Sequence, residues 1–464
     1  MSEATSRERG AGATGGEGLM RRDVGVLLAT LVVVNATIGS GIFKTPSKVA
    51  RLAGSLDASL GVWIAGGVIA LCGALTLAEL AASMPRTGGL YEFLRRAFGP
   101  RVAFLIGWTK LVLLIPSAVG SFGRLAAEAF GAALDLAPST ARDAIVSSLF
   151  VIGSCAVNLL GVRQNAKQQA VITAAKYAGV LALGVLGVFV PVAAGTVIAP
   201  PVDAPAFAAT VTWTGCFAAL VSVMWAYDGW ADLASLGGEV RKPGRTLPIA
   251  FAAGTIAIVV VYVFANLGYA RSIGIDGLRA STTGSNMAAA NLAMATLGPI
   301  GRRLLAVLVL VSCVGGCMSS LLTGPRIFVP MATDGVFPSW FGVVSARTGV
   351  PHRAVLVSGV LGLAYVSSRT FEQLTDAFVY GFFPFYMLAV IAVFVLRRRE
   401  PALARPFRVP GYPVVPVVFL AGGACLLWGA TGDVSQTAIF AFAIVLAGIP
   451  ASFAWSRLAR RPST

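Results

Sequence analysis

Polar residues in this chain are confined to short intervals between long apolar runs. Runs of roughly 20 residues, the length a helix needs to cross a bilayer, recur from Val24 almost to the C-terminus. On that criterion the spans are 24–53, 60–83, 101–130, 143–162, 170–191, 210–238, 248–270, 302–330, 353–368, 372–396, 413–430 and 435–456, about twelve in all. The ten-residue alternation of an outer-membrane barrel is absent. The pattern predicts an all-α integral membrane protein. Residues 1–20 are small and polar and are expected to form a disordered tail, with a second short tail over 457–464.

The first span breaks in its own middle. Val24 to Val34 is apolar, then come Asn35-Ala36-Thr37-Ile38-Gly39-Ser40-Gly41, and the apolar character resumes at Ile42-Phe43. Each glycine costs a helix about 1 kcal/mol relative to alanine. A break at membrane depth strands backbone N–H and C=O groups that lipid cannot satisfy, so they must line an enclosed cavity or meet a ligand. The first half-helix would end with carbonyls near Ala36–Ile38, and the second would begin with amides at Ser40, Gly41 and Ile42. Two opposite half-poles a few ångströms apart suit a zwitterion, ammonium on the carbonyls and carboxylate on the amides. The competing reading is a small-residue packing notch.

The sixth span repeats the theme. Trp225-Ala226-Tyr227-Asp228-Gly229-Trp230 sets a glycine and an acid mid-membrane between two tryptophans. Interrupted spans at corresponding places of two five-helix halves point to an inverted-repeat transport site, and spans 1 and 6 occupy those places. Trp225 lies about fifteen residues into its span, too deep for an interfacial belt, which favours a stacking or gating role.

Composition narrows the class. Only 12% of the 464 residues are charged, against about 25% in soluble domains, and mean hydropathy is +0.80. The net charge of +16 suggests nucleic acid, but the basic residues sit in the short loops. With the N-terminus inside, cytoplasmic segments hold roughly 23 lysines and arginines and outer segments roughly 7, which predicts that both termini are cytoplasmic. The six cysteines fall in apolar stretches; Cys313 and Cys317, one turn apart, lack a histidine or carboxylate to complete a metal site. One histidine, His352, falls in a loop, which argues against a histidine proton relay or a zinc enzyme. No metal, cofactor or nucleic-acid partner is expected.

Five motifs in order carry a resemblance: G-S-G-I-F (39–43), P-R-T-G-G-L-Y (85–91), W-A-Y-D-G-W with E-V-R-K-P-G-R-T-L-P (225–248), T-G-P-R-I-F with D-G-V-F-P (323–338), and R-P-F-R-V-P-G-Y-P (405–413). From about residue 21 to 456 the chain resembles the amino acid–polyamine–organocation superfamily, and within it the bacterial L-type amino acid transporters. The resemblance implies a ten-helix core of two inverted repeats with helices 1 and 6 broken (21–397), then a cytoplasmic loop and two additional helices (398–456). It implies Na⁺-independent carriage of amino acids in a bacterial inner membrane. Thr37, Ile38, Gly39, Ser40 and Gly41 then match the unwound segment that holds the substrate's α-carboxylate and α-amino groups. Trp225 matches the aromatic gate, and the carbonyls around Trp225, Asp228 and Gly229 match the second ammonium-binding edge. Lys176, in T-x-x-K, matches a lysine beside the helix 1 break, where related carriers hold sodium, with Ser312 as its oxygen partner. Animal members attach to a glycoprotein through a cysteine outside spans 3 and 4; loop 131–142 has none here, so no disulfide-linked subunit is expected.

Other charges lie within the spans. Lys176 sits ~9 Å into span 5, near enough to the end to snorkel as an alternative. Lys110 and Arg124 in span 3 are expected to snorkel or pair, and Glu79 to pair with Arg86. Asp228, if turned inward, would favour cationic side chains. Asp232 and Glu239 line the inner half of span 6 and are expected to meet loop arginines. The expectation is an alternating-access exchanger of neutral L-amino acids. The alternative is a proton-coupled symporter or a permease for cationic amino acids or polyamines. An enzyme or receptor finds neither a nucleophile–base pair nor a soluble output domain to support it.

Overall fold

A computed structural model describes residues 23–86, 88–137, 139–160, 162–191, 210–281, 287–345, 347–429 and 436–458. Both expected terminal tails fall largely outside these residues. The first span is α1 (Val26–Thr37) and α2 (Gly41–Ala53), bent by 50° at the break. There follow α3 (Leu56–Ser83), the short α4 (Leu90–Phe98), and α5 (Pro100–Thr109) running through a π turn (Lys110–Leu114) into α6 (Ile115–Ala133). Next come α7 (Thr140–Leu159), α8 (Val162–Phe189) and α9 (Trp213–Tyr227), which passes through Asp228-Gly229 into 3₁₀ turns at Trp230–Ser235 and Gly237–Glu239. The second half continues with α10 (Pro243–Ala280), α11 (Ala288–Thr323), α12 (Phe328–Thr333), α13 (His352–Ser368) and α14 (Phe371–Arg399), and α15 (Val414–Gly429) and α16 (Gln436–Leu458) complete the chain.

Among the described residues eight helices are long and apolar enough to cross a membrane, nine with the bent α1–α2 pair. The shorter α9, α13 and α15 take the remaining places of the twelve expected spans. The second and third spans of each half pack on their counterparts, α3 along α10 and α6 along α11. The broken spans pack on each other as α2 against α9.

Two helices run past their expected ends. Gly274 (φ 64) and Gly298 (φ 67) are non-helical points inside α10 and α11. They set off two short helical pieces, 275–280 and 288–297, where the sequence pattern predicts only a loop. Their alanines and Met287 are buried, so small residues there pack closely over the bundle end where α2 terminates. This end is called the far face, and the end where α1 begins the N-terminal face. His352, expected in a loop, opens α13.

Prolines explain several local departures. Pro116 has no N–H to give Val112, and that carbonyl accepts from the Tyr365 hydroxyl at 2.7 Å instead. The π turn precedes it, with Ile115 N–H donating five residues back to Lys110. Pro46 likewise frees the Ile42 carbonyl, which accepts from the Tyr269 hydroxyl at 3.2 Å. Glu79, buried at the N-terminal face, pairs with Arg397 and Arg405 and accepts from the Val409 N–H at 2.8 Å. This corrects the expected Arg86 pair. Arg397 closes α14 and Arg405 lies in the linker to α15, so three donors unreadable from local sequence converge on one carboxylate.

Candidate functional site

The break in the first span is built as its residues dictate. Ile38 and Ser40 separate two helices around Gly39, and Ser40 sits at the cap position of α2 without a capping bond. Its hydroxyl is buried and has no partner among the described residues. The first-turn amides of α2 therefore lack a side-chain cap and face the break. Of the carbonyls ending α1, that of Thr37 accepts from the Tyr262 hydroxyl at 3.0 Å. Tyr262 and Tyr269, seven residues apart on α10, thus hold the two halves of the broken span by their backbones.

The sixth span breaks at the same level. Asp228 is extended and Gly229 has φ +118, a conformation that suits glycine. A Cβ on Gly229 would lie 2.5–2.8 Å from the backbone of Ala36 and Thr37. A Cβ on Gly41 would lie 2.8 Å from Ala226. The two unwound segments touch, and only glycine permits it.

Between them lies a cavity lined from spans 1, 3, 5, 6, 8 and 10. The volume open to water centres is about 110 Å³, room for on the order of ten waters at ~10–15 Å³ each. Thr37, Gly39, Ser40, Gly41, Trp225, Asp228, Gly229 and Lys176 all border it. Two expected residues do not. Ile38 is fully buried in the apolar core, because a residue at the turn between two helices presents its side chain away from the stripped backbone. Ser312 is also buried, and among the described residues its hydroxyl has no hydrogen-bond partner, Lys176 included; α11 faces the cavity with Gly316, Ser319, Ser320 and Thr323 instead.

Trp225 forms part of the lid. Its ring meets Phe378 edge-on at 5.0 Å and Phe122 at 6.2 Å. Trp230 is fully buried, stacked on Tyr386 at 4.9 Å, and is not an interfacial anchor. The Asp228 carboxylate accepts from the Tyr386 hydroxyl at 2.7 Å. Lys176 is 2% exposed, and among the described residues no ion pair or hydrogen bond of its ammonium is found. Its burial removes the snorkelling alternative. Lys110 borders the cavity rather than snorkelling. Arg124 donates to the Arg369 carbonyl at 3.0 Å. Among the described residues neither Asp232 nor Glu239 makes an ion pair with a loop arginine; the Glu239 carbonyl accepts from the Val24 N–H at 3.1 Å, clipping the start of α1 to the end of the sixth span.

Sequence reasoning missed the network beyond the lid. Lys44 on α2 reaches Glu128 of α6 at 2.9 Å and Glu372 of α14 at 3.2 Å. One turn on, Lys48 meets Asp376 at 2.6 Å. The signal was present as two i,i+4 ladders of opposite sign, 44/48 and 372/376, each on one helix face. Only the fold shows that they face one another.

The chain matches the amino acid permease family over residues 24–459. It is 28% identical over 440 residues to the serine/threonine exchanger SteT of Bacillus subtilis, covering 93% of this chain and 96% of that one. It is 26% identical over 457 residues to the b(0,+)-type amino acid transporter 1 of Mus musculus, covering 96% and 91%. The cystine/glutamate transporter of Homo sapiens is 28% identical over 442 residues, covering 94% and 85%. With broken spans meeting at a central cavity, this chain belongs to the amino acid permease family: it is a multi-pass membrane transporter and not an enzyme.

Proposed function

We propose that the chain is a Na⁺-independent exchanger of neutral L-amino acids working by alternating access. The contact of Gly229 with Ala36 and Thr37 carries this reading, because it sets two unwound backbones around one cavity. Gly39, Ser40 and Gly41 offer amides to the α-carboxylate, and the backbone of the sixth-span break offers carbonyls to the α-ammonium. The Trp225–Phe378 pair and the Lys44 network close the far side. Engagement of the Asp228 carboxylate by Tyr386 favours neutral cargo over cationic. The relatives SteT and the b(0,+)-type transporter support amino acid cargo, and the name of SteT supports exchange.

The N-terminal face is cytoplasmic on the charge bias, the membrane is a bacterial inner membrane, and the carrier works without a disulfide-linked subunit. Residues 21–397 form the transport core and 398–456 an appendage. The test is uptake of a radiolabelled amino acid panel into proteoliposomes, preloaded or empty, in sodium and in choline buffer. Neutral L-amino acids should enter preloaded vesicles at equal rates in both buffers and empty vesicles hardly at all, with putrescine and agmatine competing poorly. Uptake that requires sodium, or that an imposed proton gradient drives into empty vesicles, would replace this reading.

A further inference from the structure

The side chains that line the cavity are of two chemical kinds. One is apolar, made of Ile115, Ala118, Phe122, Trp225, Phe378 and Phe382. The other carries Lys110, Asp228, Asp232, Ser319, Ser320 and Thr323. Lys110 stands at the first residue of the π turn, a local geometry frequent at functional sites. Among the described residues neither the Lys110 ammonium nor the Asp232 carboxylate has an ion-pair or hydrogen-bond partner, whereas Asp228 has Tyr386. Lys110 lies within electrostatic reach of both carboxylates.

An apolar substrate side chain against Lys110 and Asp232 would exclude water from an ammonium and a carboxylate and leave both unsatisfied, which is costly. A carboxylate tip would satisfy Lys110 but set a like charge against Asp232, and an ammonium tip would satisfy Asp232 but set a like charge against Lys110. Ammonium only donates hydrogen bonds and carboxylate only accepts them. The complementary tip must therefore accept from one and donate to the other while carrying no charge. A carboxamide does both through separate atoms; a hydroxyl does so through one.

Resting on the carrier reading above, we propose that Lys110 and Asp232 are a specificity pair that selects amino acids whose neutral side chain both accepts and donates hydrogen bonds, carboxamides foremost. Lys110 donates to the amide oxygen and Asp232 accepts from the amide nitrogen. Methionine and leucine, of similar size, offer neither group.

The experiment measures inhibition of labelled L-alanine uptake in proteoliposomes of the full chain by glutamine, asparagine, serine, leucine, methionine, glutamate and lysine. Glutamine should inhibit at a concentration about tenfold below leucine or methionine, the discrimination one satisfied charged hydrogen bond supplies. In Lys110→Met and Asp232→Asn the glutamine-to-leucine ratio should fall to within about twofold, while Lys110→Arg keeps it. Each ratio is taken within one variant, so altered expression or turnover does not enter. Should a variant not transport, ligand-induced thermal stabilisation by glutamine and by leucine gives the same ratio. Leucine equal to glutamine in the wild type, a preference for glutamate or lysine, or an unchanged ratio in Lys110→Met overturns the proposal. Alanine uptake without a polar preference sinks this inference alone. A folded protein that takes up no amino acid sinks the carrier reading with it.

Discussion

Two glycines of the break do different jobs. Gly41 touches Ala226 and has no space for a side chain, so Gly41→Leu, which on sequence grounds would merely block the amides, instead wedges α2 off α9. Overpacking of this kind costs about 1–3 kcal/mol even for a methyl group. Gly39 differs: a Cβ there would meet only the Phe122 ring, at 3.8 Å, an ordinary contact. Gly39→Ala should therefore melt in detergent within about 2 °C of the wild type, a near-neutral stability change. Its KM for amino acids should rise about tenfold as the methyl competes with the carboxylate for the amides. Gly41→Ala and Gly229→Ala should lower the melting temperature clearly. Thermal unfolding with uptake kinetics on the three variants checks both halves; a Gly39→Ala protein with wild-type KM would remove the carboxylate from this position. The glycine pattern is legible in the sequence, but which glycine meets ligand and which meets protein is not, because that depends on a helix nearly 190 residues away.

At the scale of elements, α2 must separate from α6 and α14 for the far face to open. Lys44 is 6% exposed and sits between Glu128 and Glu372, with the Phe371 ring 4.7 Å away. Lys48 is more exposed than Lys44 and meets one acid rather than two, so its pair with Asp376 contributes less, on the order of 1 kcal/mol. Removing the buried lysine takes from Glu128 and Glu372 the cation they share and leaves Glu372 only the weaker pull of Lys48 and Arg51, a loss of up to roughly 3–5 kcal/mol for the closed arrangement. Lys44→Met should thus shift the population toward a form open at the far face, and Lys48→Met much less. A reporter cysteine at Ser47, buried beside this network, should react with a membrane-impermeant maleimide at least about tenfold faster in the Lys44→Met background. Equal labelling rates would mean that these charges do not hold the face shut. The clip of Val24 to Glu239 ties the start of α1 to the end of the sixth span, so α1 and the lower sixth span should move together.

For the whole molecule, the proposed independence of sodium requires another way of keeping the first span seated. Lys176 contributes a buried positive charge from α8 at the wall of the same cavity, three residues on from Thr173, whose hydroxyl donates to the Asn35 side-chain oxygen at 2.6 Å. If that charge stands where related carriers place sodium, wild-type uptake is indifferent to sodium. Lys176→Ala should then lose at least about tenfold in uptake through a smaller binding-competent population. Initial rates for both proteins in sodium and choline measure this, and unchanged kinetics in Lys176→Ala would end the idea. The sequence by itself determined the class, the twelve spans, the two breaks and the family, because each is written in local hydropathy, helix-breaking residues or contiguous motifs. It did not determine that Ile38 points into the core, that Ser312 misses Lys176, that Glu79 is claimed by Arg397 and Arg405, or that Lys44 is locked between two acids. Those are pairings across up to about 330 residues. A hydropathy pattern fixes the depth of a residue in the bilayer but not its rotation about the helix axis, and rotation is set only when the helices pack against one another.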